Sequence, residues 1–165
     1  MAEIRLEHVS FTYPGGYTAV EDACLTIPQG QALAILGQNG AGKTTLFNCL
    51  NRDLKPDSGT FYLEIDGQRR EVTADDIGYV LSTPTVPEFL TGREFLKFFM
   101  DINNGKLRNP KSPDEYFDDI SIALEDRDKL MKDSSPGMKN KMQMLVNIIA
   151  EPKILLLDEP LTSLD

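Results

Sequence analysis

One loop constrains this chain more than any other part of it: Gly37-Gln38-Asn39-Gly40-Ala41-Gly42-Lys43-Thr44-Thr45, which fits the pattern G-x-x-x-x-G-K-[ST]. The apolar run Ala32–Leu36 precedes it and Leu46–Leu50 follows, which predicts a buried strand over 31–36 and a helix after the loop. Glycines at 37, 40 and 42 let the backbone turn so that successive N–H groups face one concavity. Together with a helix N-terminus, that concavity suits phosphate oxygens. Lys43 then neutralises the β- and γ-phosphates of a nucleotide, and the Thr44 hydroxyl is a ligand for Mg²⁺. Gln38, Asn39, Ala41 and Thr45 complete the candidate phosphate site.

At 165 residues the chain is long enough for one domain with subdomains and too short for two of ordinary size. The 17 basic and 26 acidic residues leave a net charge of −9, which argues against broad binding to nucleic acid or anionic lipid. Cys24 and Cys49 both sit in apolar stretches, which predicts free buried thiols of a cytosolic protein rather than a disulfide. With the single histidine, His8, they offer no metal cluster. No run approaches the 18 apolar residues of a membrane span and the N-terminus has no signal-peptide core. The chain therefore reads as soluble, with any membrane association made through a partner.

Taken in order, residues 3–9 alternate, with Ile4, Leu6 and His8 on one side, and run into a turn at Pro14-Gly15-Gly16. A second strand over about 18–27 ends at Pro28-Gln29-Gly30, before the run at 31–36. Thr60–Ile65 and Arg69–Val72 flank Asp66-Gly67, a strong hairpin signal, and Ile77–Leu81 reads as a short buried strand. From 84 the pattern turns helical. Thr91-Gly92-Arg93-Glu94 is a capping box ahead of Phe95, Leu96, Phe98, Phe99 and Ile102. Ser112-Pro113-Asp114-Glu115 repeats it ahead of Tyr116, Phe117, Ile120 and Leu124. The aromatics at 95, 98 and 99 read as core, and the charges in 103–111 as solvated. A third helix follows Ser135-Pro136-Gly137, with Met138, Met142, Leu145, Val146 and Ile149 on its apolar face, and Glu151-Pro152 ends it. Ile154–Leu157, four apolar residues without alternation, suit a strand buried on both faces of a parallel sheet.

That strand runs into Asp158-Glu159, which puts two carboxylates at a strand's C-terminal edge, where open α/β sheets bind ligands. Asp158 suits the Mg²⁺ hydration shell, and Glu159 suits a general base acting on a water aimed at the γ-phosphate.

With these pieces in place the whole chain resembles the nucleotide-binding subunit of an ATP-binding cassette (ABC) transporter. The distinguishing stretch is Ser135-Pro136-Gly137-Met138-Lys139, where the family carries Leu-Ser-Gly-Gly-Gln; the form here is similar to that of bacterial exporters of drugs, antibiotics and peptides. The resemblance implies an α/β P-loop NTPase fold with a RecA-like parallel core, an N-terminal antiparallel β subdomain and a helical subdomain. It sets the β subdomain and P-loop core at 1–83, the helical subdomain at 84–135, and the signature helix with the last strand at 136–165. It implies ATP and Mg²⁺ as cofactors, and a head-to-tail homodimer in which Ser135, Gly137 and Met138 of one copy meet the γ-phosphate held by the other. Tyr13, 24 positions before Gly37, matches the aromatic that stacks on adenine, with Tyr17 as the second choice. Thr162-Ser163-Leu164-Asp165 resembles the start of the D-loop, and residues 84–135 match the part that docks a membrane-spanning permease. The expected location is cytoplasmic, on the inner face of a membrane.

Two departures stand out. Where the family usually has Gln after the strand at 77–81, touching Mg²⁺ and the attacking water, this chain has Ser82, whose reach is shorter by roughly 2.5 Å. The chain also stops at Asp165, ahead of the family's switch histidine, and His8 in the first strand is no replacement; this suggests a truncated chain. The reading is a MgATP-hydrolysing subunit of a membrane exporter, with Glu159 as base, Lys43 neutralising charge, and Thr44, Asp158 and Ser82 facing the metal. The rival readings are an ABC ATPase of translation or DNA repair, and a fragment that binds nucleotide without turnover. The acidic charge and the Gly137-Met138-Lys139 variant weigh against the first. No Asn-Lys-x-Asp guanine motif supports a GTPase.

Overall fold

The computed structural model describes residues 2–159, and the chain divides into two compact units, one ending at Ile77 and one beginning at Gly78. The proposed D-loop at 162–165 lies outside the described residues.

The first unit is built on β1 (Ala2–Tyr13), β2 (Tyr17–Pro28), β3 (Ser58–Ile65) and β4 (Gln68–Glu71), an antiparallel sheet in the order β2-β1-β3-β4. Alternation sets its inner face: Ile4, Leu6 and Leu63 are buried there, while Tyr62, paired with Arg5, is buried on the opposite face, where its hydroxyl donates to Glu7. The β3–β4 turn is the Asp66-Gly67 pair, both with positive φ (50° and 79°), the backbone a two-residue hairpin needs to follow the twist of its strands. Helix α1 (Lys43–Leu50) joins a small core of Phe11, Val20 and the fully buried Cys49.

Three expectations fail in this unit, each for a non-local reason. Residues 31–38 form neither helix nor strand, and Leu33 and Leu36 are 50% and 89% exposed. A strand requires ladder partners for its N–H and C=O groups, and no described strand pairs with this stretch. His8 is exposed, because a bulge at 7–8 breaks the alternation and returns Val9 to the interior. Cys24 is exposed also; the pair are free thiols, as expected, but only Cys49 is buried.

The second unit holds β5 (which begins at Ile77 and runs to Val80), α2 (Gly92–Ile102), α3 (Pro113–Asp119), α4 (Leu124–Arg127), α5 (Pro136–Ile149) and β6 (Ile154–Leu157). β5 and β6 pair, and the Asp158 amide donates to the Val80 carbonyl at 2.9 Å, so both strands end at one edge, as parallel neighbours do. Both capping boxes form: the Thr91 and Ser112 hydroxyls accept from the Glu94 and Glu115 amides, and the two glutamates bond back. The helices enclose Leu96, Phe117, Met131 and Met142, none with any exposed surface. Burying four such side chains is worth about 1.5–3 kcal/mol each.

Three further corrections belong here. α3 stops at Asp119 and Leu124 is 73% exposed on the separate α4, so the second apolar stripe ends at Ile120. Phe98 and Ile102 point outward (53% and 62% exposed) while Phe95 and Phe99 pack on the core, because the helix offers only one stripe to its neighbours. β6 is covered on one side only: Leu156 is buried, whereas Leu155 and Leu157 are about 40% exposed. The sheet has two described strands, and such a small platform leaves one face of β6 without cover.

Candidate functional site

The phosphate loop lies in the first unit. Gly42 is the N-cap of α1 in left-handed conformation (φ 86°), and a Cβ there would stand 1.9 Å from the Ala19 carbonyl oxygen, so only glycine fits. Neither a capping side chain nor an acidic residue serves the first turn of α1. Its amides carry partial positive charge toward an anion supplied from outside. Lys43 adds a full charge: its Nζ donates to the Gly37 and Gln38 carbonyls at 2.6 and 2.9 Å, folding the side chain across its own loop. Residues 37–41 and Thr44 are exposed, and Thr45 is buried. An open cavity of about 200 Å³ borders the loop, between Ala41, Gly42 and Lys43 and the β2 residues Ala19–Glu21.

Two tyrosines stand beside this loop. The Tyr13 hydroxyl is 3.1 Å from Thr45 Oγ1, and the Tyr17 hydroxyl donates to the Gly40 carbonyl at 2.7 Å. Their rings are nearly parallel, 13° apart with centroids at 6.5 Å, while Phe11 meets Tyr13 edge-on at 4.9 Å. Hence Tyr13 is held on both sides and Tyr17, at 57% exposed, is the freer of the two.

The other candidate residues lie in the second unit. Asp158 is buried and Glu159 exposed, immediately after β6, and Glu159 takes a positive φ of 47° that turns the chain. Ser82 follows β5 in a loop held by α5: Gln143 Nε2 donates to the Leu81 carbonyl and its Oε1 accepts from the Thr85 amide, both at 3.0 Å. Asn147, one turn on, donates to the Tyr79 carbonyl at 3.4 Å. Ser135 is the N-cap of α5, its hydroxyl accepting from the Met138 amide at 3.1 Å, with Pro136 at the first helical position. Gly137 and Met138 are half-buried. Lys139 pairs with Glu88 at 2.9 Å, and that ammonium holds the Glu88 carboxyl below its usual range.

The residues missed by sequence reasoning are Gln143, Asn147 and Glu88. Gln143 and Asn147 are i,i+4 neighbours in the otherwise apolar stretch 142–149 of α5, and that polar pair was the available signal. Glu88 carried none, since its partner is 51 residues away.

The residues fit a nucleotide: a cation, an uncapped helix terminus, exposed glycines and aromatic rings in one unit. Thr44 in the first unit and Asp158 in the second each carry a hard oxygen of the kind that suits Mg²⁺. A match to the ABC transporter family covers residues 20–162. The chain belongs to the ABC transporter family. Among its relatives, the cobalt import ATP-binding protein CbiO of Rhodobacter capsulatus is 34% identical over 98% of this chain and 60% of its own length. The daunorubicin resistance ATP-binding protein DrrA3 of Streptomyces coeruleorubidus is also 34% identical, over 92% of this chain and 48% of its own. The chain thus spans about three fifths or less of these relatives. Of solved structures, a dimeric post-hydrolysis state of the ATP-binding cassette MJ0796 bound to ADP and Pi matches with a TM-score of 0.78 at 23% identity. That match covers 98% of this chain and 76% of that one, and the likeness is one of fold. ABC transporter folds of this kind are P-loop NTPase folds, in agreement with the loop that the sequence singled out.

Proposed function

We propose that the chain is the ATP-hydrolysing part of an ABC transporter, acting as a head-to-tail dimer on a membrane permease, with export of a drug, antibiotic or peptide as its direction. The observation that carries the reading is the uncapped N-terminus of α1 behind Gly42, with Lys43 folded over the loop.

In this reading the Gly37–Thr45 backbone receives the phosphates. Lys43 exchanges its bonds to the Gly37 and Gln38 carbonyls for bonds to phosphate oxygens, so part of its interaction energy is spent on release from the loop. Tyr13 supplies a ring face to the adenine, with Tyr17 beside it. Bound magnesium supplies charge neutralisation on the phosphate oxygens, and Thr44 and Asp158 would hold it. Ser82 sits on the Gln143-braced loop and takes a place there only through its short hydroxyl. Glu159 accepts the proton of the attacking water. The capped start of α5 at Ser135, Gly137 and Met138 faces the γ-phosphate of a partner copy.

The membrane role rests on the match to the ABC transporter family and on relatives named as ATP-binding proteins. CbiO is named for import and DrrA3 for drug resistance, at equal identity. The Ser135–Lys139 stretch, with its exporter-like form, is what favours export. Among the described residues no helix is long and apolar enough to cross a membrane. Equilibrium ATP binding to the chain and to its Lys43→Ala variant tests the site, with a loss of about 10- to 100-fold expected from a charged hydrogen-bond partner. Equal binding by both would refute it. ATP-driven accumulation inside inverted vesicles carrying the permease tests direction, and ATP-driven efflux from them would reverse it.

A further inference from the structure

Away from the phosphate loop, the β1–β2 ribbon carries three bulges, one on β1 and two on β2, and the first two lie side by side. The register passes from Leu6↔Leu25 to Val9↔Ala23 and then to Phe11↔Val20, so β1 gains a residue first and β2 gains one next. The residues in these first two bulges, His8 and Asp22, both have left-handed backbones (φ 56° and 48°). Such conformations persist only where surrounding structure enforces them. Here Gly59 of β3 lies against the His8 backbone so closely that a Cβ would come within 2.3 Å of its carbonyl oxygen. The Asp22 amide donates to Ser10 Oγ at 2.9 Å, and the His8 amide donates to Cys24 Sγ at 3.3 Å.

The outcome is that His8, Asp22 and Cys24 turn their side chains to one exposed spot. His8 Nδ1 is 2.7 Å from Asp22 Oδ1 and 3.7 Å from Cys24 Sγ, and the three ligand atoms lie within 4.8 Å of one another. Bond lengths of 2.0–2.3 Å in a tetrahedral zinc site place ligand atoms roughly 3.3–3.7 Å apart. The sulfur–nitrogen separation already has that value, and the nitrogen–oxygen pair has only to open by roughly half an ångström.

We propose that His8, Asp22 and Cys24 form a binding site for a borderline-soft divalent transition ion, Zn²⁺ being the representative, which clips β1 to β2 across the paired bulges. The sequence alone had excluded a metal cluster because it counted only two cysteines and one histidine. The bulges bring in the carboxylate that completes a three-ligand set, leaving a fourth position for water. A thiolate and an imidazole select this class of ion over Mg²⁺ or Ca²⁺. On binding, Cys24 gives its thiol proton to solvent and His8 carries its remaining proton on Nε2, so that Nδ1 faces the ion.

Titration of the nucleotide-free chain with Co²⁺, followed by its absorption spectrum, and with Zn²⁺ against a chromogenic chelator tests the site. One equivalent should bind, with a thiolate-to-cobalt charge-transfer band, and Zn²⁺ should slow alkylation of Cys24 while the buried Cys49 stays silent. Outer contacts of metal sites alone are worth 10–100-fold in affinity, so loss of the thiolate in Cys24→Ser should cost more than about 100-fold and remove the band. His8→Asn and Asp22→Asn, whose new side chains tolerate the left-handed backbone, should each weaken binding at least about 10-fold. No charge-transfer band in the wild-type chain, or unchanged affinity in Cys24→Ser, would overturn the proposal and leave His8–Asp22 a surface ion pair.

Discussion

Lys43 rests on the carbonyls of Gly37 and Gln38, and Gly42 faces the Ala19 carbonyl with no room for a Cβ between them. The two contacts separate binding from folding at neighbouring positions. Gly42→Ala introduces a side chain at a positive φ and into a backbone oxygen, and should destabilise the chain by more than about 2 kcal/mol in denaturant unfolding. Lys43→Ala leaves the backbone untouched and should lower nucleotide affinity with little change in unfolding midpoint. The tyrosines make a graded case. If Tyr13 carries the adenine, Tyr13→Ala should cost about 1–3 kcal/mol of ATP binding, the worth of a base on an aromatic face. Tyr17→Ala should cost less in an equilibrium titration, and the reverse order would assign Tyr17 as the platform. The family resemblance pointed to Tyr13, while the ring geometry shows it already packed on Phe11 and Tyr17.

At the level of elements, what was legible is what is written locally. The Asp66-Gly67 turn, the boxes at Thr91–Glu94 and Ser112–Glu115 and the Ser135 cap depend on residues at most three apart, and each formed where the sequence put it. The failures lie where the local pattern does not decide the outcome. Residues 31–36 are apolar enough for a strand but have no described strand beside them; Leu124 continues a helical stripe on a helix that has already stopped; and the bulge at His8 is enforced by Gly59 on another strand. Gln143 reads as an interruption of an apolar face and proves to brace the Ser82 loop. The capping boxes also make a pH prediction. Hydrogen bonds from Thr91 hold Glu94 below its usual range, those from Ser112 do the same for Glu115, and Arg93 and Arg127 do it for Asp114. A depressed carboxyl contributes stability that is complete above its unfolded value and is lost as pH falls through its folded one. Thermal stability of the helical unit should therefore be flat near neutrality and decline below about pH 4. A decline beginning near pH 6 would point to a different group. In the core of the same unit, Phe117 has no exposed surface, and Phe117→Ala should cost about 3–5 kcal/mol in chemical unfolding.

For the whole molecule, membership of the ABC transporter family and the phosphate loop agree, and the proposed chemistry asks for more than either supplies. Glu159, Asp158 and Ser135 belong to the second unit and the loop to the first, so hydrolysis requires elements that the chain carries far apart in sequence. In the proposed sandwich, a chain that binds MgATP without cleaving it should accumulate as a dimer. Glu159→Gln with MgATP should double the mass seen by light scattering, and Ser135→Ala in that background should reduce the doubled fraction. The direct test of the central claim is phosphate release measured beside nucleotide binding on the same protein, with and without Glu159→Gln. The account predicts that the variant binds ATP as the parent does and releases phosphate only at background; release at the parent's rate would contradict it.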